Sequence, residues 1–326
     1  MPPREDGPVR GEIRLADYRR VSHGLFLPRR SGLAPEDEFR RDLHAWLLVL
    51  PEGAVFTHLT GARLLGWRLP QMPEQVPVFA AVRGGEQRPR RPGLLCSRLV
   101  ATPDHGRARQ LTGDGLPVDQ PEEILLRAAR DLGHLDLVTM IDSAIALGDL
   151  DPQRMAAILA SGRPGVAALR AAYVAGDGRA ESAGETLLRL FHEAMEVPVV
   201  PQVDLCDTDG RLVGRADLLV VGTTDVHEYD GAVHRGQDQH RSDLRRERRL
   251  AGTPYARRGF TLDDLVNHPA VTMHELDRAL GRVHRPHRLR RWRRLVEHSM
   301  YSADGRARML NRWRRAMGVV DWARSA

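Results

Sequence analysis

The apolar pattern changes period near residue 176, and that change constrains the fold of this 326-residue chain more than any other feature. Between 121 and 175, apolar residues recur at helical spacing in four runs, 121–132, 135–147, 151–161 and 165–175, separated by Gly or Pro. After Gly176, Asp177 and Gly178 the order becomes helix, strand, hairpin, helix, strand, with the hairpin over 212–221 and 226–230. A helical bundle followed by strands predicts a domain boundary near 176. Upstream, 35–50 and 58–67 carry helical spacing, whereas 77–82 and 94–100 read as strands flanking the polar loop 83–92. The first 34 residues hold one apolar stretch, Val21, Leu25, Phe26 and Leu27, suited to a short strand. The expected organisation is an α+β amino-terminal module over 1–175, an α/β domain over 176–268 and a helical tail over 269–326.

Charge narrows the chemistry. All 49 basic residues are arginine, so any mechanism that needs a catalytic lysine is excluded. Thirteen of them fall between Arg278 and Arg315 against two acids, Glu297 and Asp304, in a protein whose net charge is +6. The tail is therefore strongly basic and the remainder mildly acidic, which points to a polyanionic partner whose phosphates suit the planar guanidinium. Within expected helices over 289–300 and 306–317, Arg290, Arg291, Arg293 and Arg294 surround Trp292, and Arg312, Arg314 and Arg315 surround Trp313. Two readings stand: the tail attaches to nucleic acid, or the indoles pack on the body while the arginines face water. Cys96 and Cys206 each stand alone, which excludes a disulfide framework and a zinc finger. No apolar run approaches the ~18 residues of a spanning helix, and the charged start carries no apolar leader. The expectation is a cytoplasmic protein without membrane contact.

Carboxylates carry the most specific signal. Asp217 falls in the middle of the strand over 212–221, and Glu228 and Asp230 in the returning strand. With Thr223-Thr224 as the loop, Asp217 lies opposite Asp230 and diagonal to Glu228, so all three share one face. Like charges so placed destabilise the pair unless a cation joins them. Oxygen donors without Cys or a His pair favour Mg²⁺ or Mn²⁺. The competing reading is an ordinary ion-pair network neutralised by Arg215 on the same face. Glu185, at the edge of the stripe Leu187, Leu188, Phe191 and Met195, either joins these acids or closes a capping box with Ser182. The polar helix over 237–251 brings Arg241, Arg245 and Arg246 beside the acids, as a solvated face or as phosphate contacts.

Taken together, Gly214 to Asp217, the Glu228-x-Asp230-Gly231-x-x-His234 element, Asp243 to Arg246 and Leu250 to Gly252 resemble a known family. It is the nuclease domain related to very-short-patch-repair endonucleases, within the PD-(D/E)XK superfamily, and the likeness covers about 179–265. Residues 56–67 and 115–118 resemble the module that precedes this nuclease in actinobacterial proteins of the type IV, abortive-infection-like antitoxin class. The resemblance implies a restriction-endonuclease-like three-layer fold in which Glu185, Asp217 and Glu228 hold Mg²⁺ or Mn²⁺. It implies hydrolysis of DNA phosphodiester bonds, on duplex DNA that includes mismatched or branched forms. The superfamily's lysine position is occupied by Asp230, so water activation falls to the metal or to His234 as general base. A rival of another class is a catalytically silent, antitoxin-like DNA-binding regulator that retains the fold.

Overall fold

Proline opens five of the helices, at Pro35, Pro121, Pro152, Pro269 and Pro286, where its missing N–H costs nothing and its fixed φ favours the first turn. The computed structural model describes residues 7–10, 16–100, 110–231 and 253–318. Among these residues the protein is mixed α and β, with eleven helices and three sheets. The first sheet is antiparallel, in the order β1-β3-β2, from β1 (Val9–Arg10), β2 (Tyr18–Ser22) and β3 (Leu25–Pro28). After α1 (Pro35–Leu47) the chain enters β4 (Val55–Phe56), turns through α2 (His58–Leu64), and adds β5 (Val78–Val82) and β6 (Leu94–Arg98). With β7 (Gln110–Leu111) and β8 (Pro117–Val118) these make a mixed sheet of order β6-β5-β4-β8-β7. Four helices follow: α3 (Pro121–Ala128), α4 (His134–Ala146), α5 (Pro152–Ala160) and α6 (Val166–Val174).

Beyond residue 176 come α7 (Ala183–Ala194), β9 (Val199–Cys206), β10 (Leu212–Val220), β11 (Asp225–Tyr229) and β12 (Ala256–Phe260). The sheet order is β12-β11-β10-β9; the first three strands in sequence form an antiparallel meander, and β12 runs parallel to β11. The chain then continues through α8 (Leu262–Val266), α9 (Pro269–Ala279), α10 (Pro286–Glu297) and α11 (Ala303–Met317).

The apolar core crosses the position of the expected boundary. One cluster of buried side chains runs from Leu25 to Trp313, and a small second one joins Leu205, Ala216 and Val226. The seam at 176 is also polar. Asp142 of α4, fully buried, accepts from Thr186 Oγ1 (2.8 Å), Arg189 Nη2 (2.8 Å) and the Asp177 N–H (2.6 Å). Burial pushes its carboxyl up, and the Arg189 guanidinium opposes that shift.

The tail packs on this core, because its two tryptophans bury the large apolar faces that the surrounding arginines leave between them. Trp292 is fully buried, donates Nε1–H to the Leu265 carbonyl (2.6 Å) and meets the Phe191 ring edge-on at 5.1 Å. Trp313 is buried against Phe79. Neither indole is therefore available as a stacking platform for bases, and the attachment reading loses its aromatic part. Arg282 donates to the carbonyls of Met195 (2.6 Å) and Glu196 (2.9 Å), satisfying groups that the end of α7 leaves without helical partners. Arg290, Arg291, Arg293 and Arg294 all face water. No helix among the described residues is long and apolar enough to cross a membrane.

A second contact fixes the tail to α4. Asp136, fully buried in the first turn of α4, accepts from the N–H of Gly133 (3.2 Å) and of Met300 (3.0 Å). Burial pushes its carboxyl up to about 7. A Cβ at Gly133 would stand 2.0 Å from the His298 carbonyl oxygen, a backbone atom that cannot rotate away. Gly133→Ala is expected to lower the unfolding free energy by about 1–3 kcal/mol in urea titration, as overpacking does. An unchanged midpoint and slope would show that the two backbones do not meet in solution.

Candidate functional site

β10 and β11 pair Leu218 with His227 and Leu219 with Val226, a register shifted by two residues from the one expected. The loop is longer than Thr223-Thr224 alone. Thr223 N–H donates to the Val220 carbonyl (3.2 Å), and its Oγ1 donates to the same carbonyl (3.0 Å) while accepting the Asp225 N–H (3.0 Å). These bonds close the turn around residues 221–224. A shift of two keeps every side chain on its face. The ladder ends at the Leu218–His227 pair, one residue before Asp217 and Glu228, and its register, continued by one step, sets Glu228 rather than Asp230 across from Asp217. Asp217 Oδ2 accepts the Tyr229 N–H (2.8 Å), so its carboxylate takes a donor that a backbone carbonyl would otherwise receive.

The neighbouring parallel strand supplies the counter-charge. Arg257 of β12 donates Nε–H to Glu228 Oε2 and Nη2–H to Asp230 Oδ1 (3.4 Å), and so bridges the two acids. Glu228 is almost fully buried, and Asp230 half-buried. Gly259, paired with Glu228 across the ladder, leaves room for this arrangement: a Cβ there would fall 1.9 Å from Asp230 Oδ2. The ion-pair alternative named Arg215, whose Nη1 lies 3.4 Å from Glu181 Oε1, and did not name Arg257. Arg257 sits 27 residues from Asp230 in a strand that periodicity alone does not pair with β11.

Glu185 follows the capping alternative, displaced by one residue. Ser182 Oγ accepts the Glu185 N–H (3.1 Å), while Glu185 Oε2 accepts the Glu181 N–H (2.7 Å) and Gln202 Nε2–H (2.8 Å). Its carboxylate thus caps α7 and pins β9, where Gln202 holds a left-handed φ of 55°. Among the described residues, no group of three or more His, Cys, Asp or Glu side chains is arranged to hold a metal ion. Glu185 is engaged at the start of α7, whereas Asp217 and Glu228 lie on β10 and β11. Asp217 and Glu228 offer oxygen donors on these adjacent strands, which suits a hard cation. His234, Arg241, Asp243, Arg245 and Arg246 lie outside the described residues.

Two histidines that the sequence reading passed over sit behind the acids. His227 and Glu228 point to opposite faces of β11. His227 Nδ1 lies 2.7 Å from His192 Nε2, and His192 Nδ1 lies 2.8 Å from the Leu188 carbonyl of α7. A carbonyl only accepts, so His192 donates through Nδ1 and its Nε2 accepts the Nδ1–H of His227. Burial among Phe191, Phe260 and the helix pushes His192 down to about 4 and His227 down to about 3, so both are neutral. The available signal was position: His192 follows Leu187, Leu188 and Phe191 on one helical stripe, where a polar ring needs a buried partner.

No family model and no curated protein matches this sequence. Among solved structures, the crystal structure of the RV2827C protein from Mycobacterium tuberculosis is similar to part of the chain, at a TM-score of 0.37 and 18% identity. The match covers 53% of this chain and 64% of that one, so the chain spans less than two thirds of that protein's length.

Proposed function

We propose that this protein is a divalent-ion-dependent endonuclease that hydrolyses DNA phosphodiester bonds at the Asp217–Glu228 face of the four-stranded sheet. The observation that carries the reading is the placement of two carboxylates, Asp217 and Glu228, on adjacent strands just past the Leu218–His227 pair, where Asp is disfavoured and like charges repel. The order helix, three antiparallel strands, then a strand parallel to the third agrees with the restriction-endonuclease-like expectation. Asp217 and Glu228 are the residues that would hold Mg²⁺ or Mn²⁺. Such an ion acts as a Lewis acid and lowers the pKa of bound water. Arg257, held between Glu228 and Asp230, supplies positive charge beside the reacting phosphate, which is the electrostatic part that lysine cannot play in this chain.

The test is nicking of supercoiled plasmid by the full chain with Mn²⁺, Mg²⁺ or EDTA. Cleavage with Mn²⁺ is expected, with a loss of at least about a hundredfold in Asp217→Asn, the scale on which removing one charge-stabilising group acts. Equal cleavage by variant and wild type would remove this face from the chemistry. The second reading is the silent DNA-binding regulator, favoured by the guanidinium already seated between Glu228 and Asp230. Binding without cleavage under every ion would decide for it.

The exposed arginines of α10 give a prediction shared by both readings. Each phosphate neutralised on duplex DNA contributes about −0.9 to the slope of log K against log salt. Changing Arg290, Arg291, Arg293 and Arg294 together to Gln leaves the core untouched and is expected to flatten that slope by up to about 3.6. A slope that stays the same would place duplex contacts elsewhere.

A further inference from the structure

β5 and β6 pair in parallel as direct neighbours, from Val78 beside Leu94 to Val82 beside Arg98, with β6 at the edge of its sheet. Parallel neighbours need a connection that travels back along the pair, a task usually given to a helix. Here the irregular loop 83–92 does it, so the loop runs along the strands. Both of its ends are tied down. Arg98 Nη1 donates to the carbonyls of Arg83 (2.8 Å) and Glu86, Ser22 Oγ donates to the Pro92 carbonyl (3.1 Å), and Arg91 Nη1 donates to the His23 carbonyl (2.5 Å). Between these ties Arg88 and Arg90 flank Pro89, whose ring restricts its own φ and the backbone of the residue before it. Both arginines are exposed on a backbone with little freedom left to lose.

Three adjoining cavities meet at this loop, and Arg88 lines all of them. The largest, about 880 Å³, lies between the loop and the turn after α1, with Arg10 and Arg90 also on its wall. One of about 260 Å³ shares Arg90 and adds Arg315 of α11, and one of about 430 Å³ adds Arg130. Together they form a groove whose lining, among the described residues, holds a single acid, Glu86. Arg127 and Arg163, on the third wall, are already neutralised by Asp119 (3.0 Å) and Glu123 (2.5 Å). Arg88, Arg90, Arg130 and Arg315 are different: all are exposed, and none pairs with an acid among the described residues. Positive groups gathered around one space repel one another, and a polyanion laid along it removes that repulsion. The planar guanidinium suits phosphate, and duplex DNA carries one charge per about 1.7 Å of axis, enough to meet each arginine in turn. No aromatic side chain lines the groove, so unstacked bases find no platform in it, which disfavours a single strand.

We propose that this groove holds the phosphate backbone of duplex DNA, with Arg88, Arg90 and Arg315 contacting it and Arg130 extending the path. The proposal rests on the reading of the protein as DNA-binding, not on cleavage, and adds a contact surface beside the five-stranded sheet to the acidic face. Fluorescence anisotropy of the full chain on a labelled blunt duplex in EDTA reads binding without hydrolysis. The triple variant Arg88→Gln, Arg90→Gln, Arg315→Gln alters only exposed side chains and is expected to bind at least about tenfold more weakly at low salt. It should also flatten the slope of log K against log salt by up to about 2.7. Raising salt from about 50 to about 200 mM then costs the wild type up to about fortyfold more affinity than the variant. The same three positions changed to Lys keep their charge and should keep most of the slope. Unchanged affinity and slope in the Gln variant would overturn the assignment, as would tighter wild-type binding of the single strand than of the duplex. So would a loss confined to polyglutamate as probe, which assigns the groove to an acidic protein partner. Absence of nicking by a protein whose duplex binding still depends on these arginines removes the acidic face from the chemistry and leaves the groove, so the two readings fall separately.

Discussion

Trp292→Ala is expected to lower the unfolding free energy by about 3–5 kcal/mol, the range for truncating a large aromatic in a packed core. The indole is fully buried, its N–H bonds to the Leu265 carbonyl, and its ring packs perpendicular to that of Phe191. Truncation therefore opens a cavity between α7, α8 and α10 and leaves a buried carbonyl without its donor. Arg293→Ala, one position away and exposed, should change stability by no more than about 0.5 kcal/mol. Equilibrium denaturation of the two variants separates a tail that belongs to the core from one that merely rests on it. Equal midpoints would show the latter.

The second large effect is a pH dependence of stability carried by the His192–His227 pair. Both imidazoles are neutral when folded, with values pushed down to about 4 and about 3, whereas in the unfolded chain each takes a proton near pH 6.5. The unfolded state thus binds two more protons from this pair below 6.5. The stability contribution is complete above that pH and is lost as pH falls toward the folded values, by up to about 2.7 kcal/mol per unit. Asp136 works in the opposite direction, since its raised carboxyl is protonated when folded and ionised when unfolded between about 4 and 7. The wild-type curve is consequently shallower than the pair alone would make it. Comparing it with the double variant His192→Leu, His227→Leu isolates the pair: the curves should diverge steadily from pH 6.5 to 5. Parallel curves would mean that the histidines are already charged in the folded protein.

Local periodicity made much of the fold legible. The helices after Pro121 and the strands of the hairpin emerge where apolar spacing and Gly or Pro punctuation place them, because those signals act within a few residues. The hairpin register did not, since the side chain of Thr223 closes a longer loop than the sequence suggested. Arg257 was invisible for a different reason: its partners Glu228 and Asp230 become neighbours only when β12 aligns parallel to β11, a long-range pairing that no spacing rule announces. Of the two readings of the tail, helical geometry follows the one that separates its residues onto opposite faces, with Trp292 inward and Arg290, Arg291, Arg293 and Arg294 outward. Composition reports charge but not the side of the helix that carries it.

The bond from Met300 to Asp136 joins residues 164 positions apart, and this has a consequence for how the chain is made. At about 5–20 residues per second of synthesis, α4 waits roughly ten to thirty seconds on the ribosome before the segment that completes its first turn exists. Until that segment is made Asp136 lacks the Met300 N–H, and a carboxylate in water is ionised at neutral pH. When 298–301 arrives, the carboxyl enters an environment that pushes its pKa up to about 7. Closure of the amino-terminal half over its last helices is thus accompanied by proton uptake near neutral pH, and nascent chains released early lack the step that seals them.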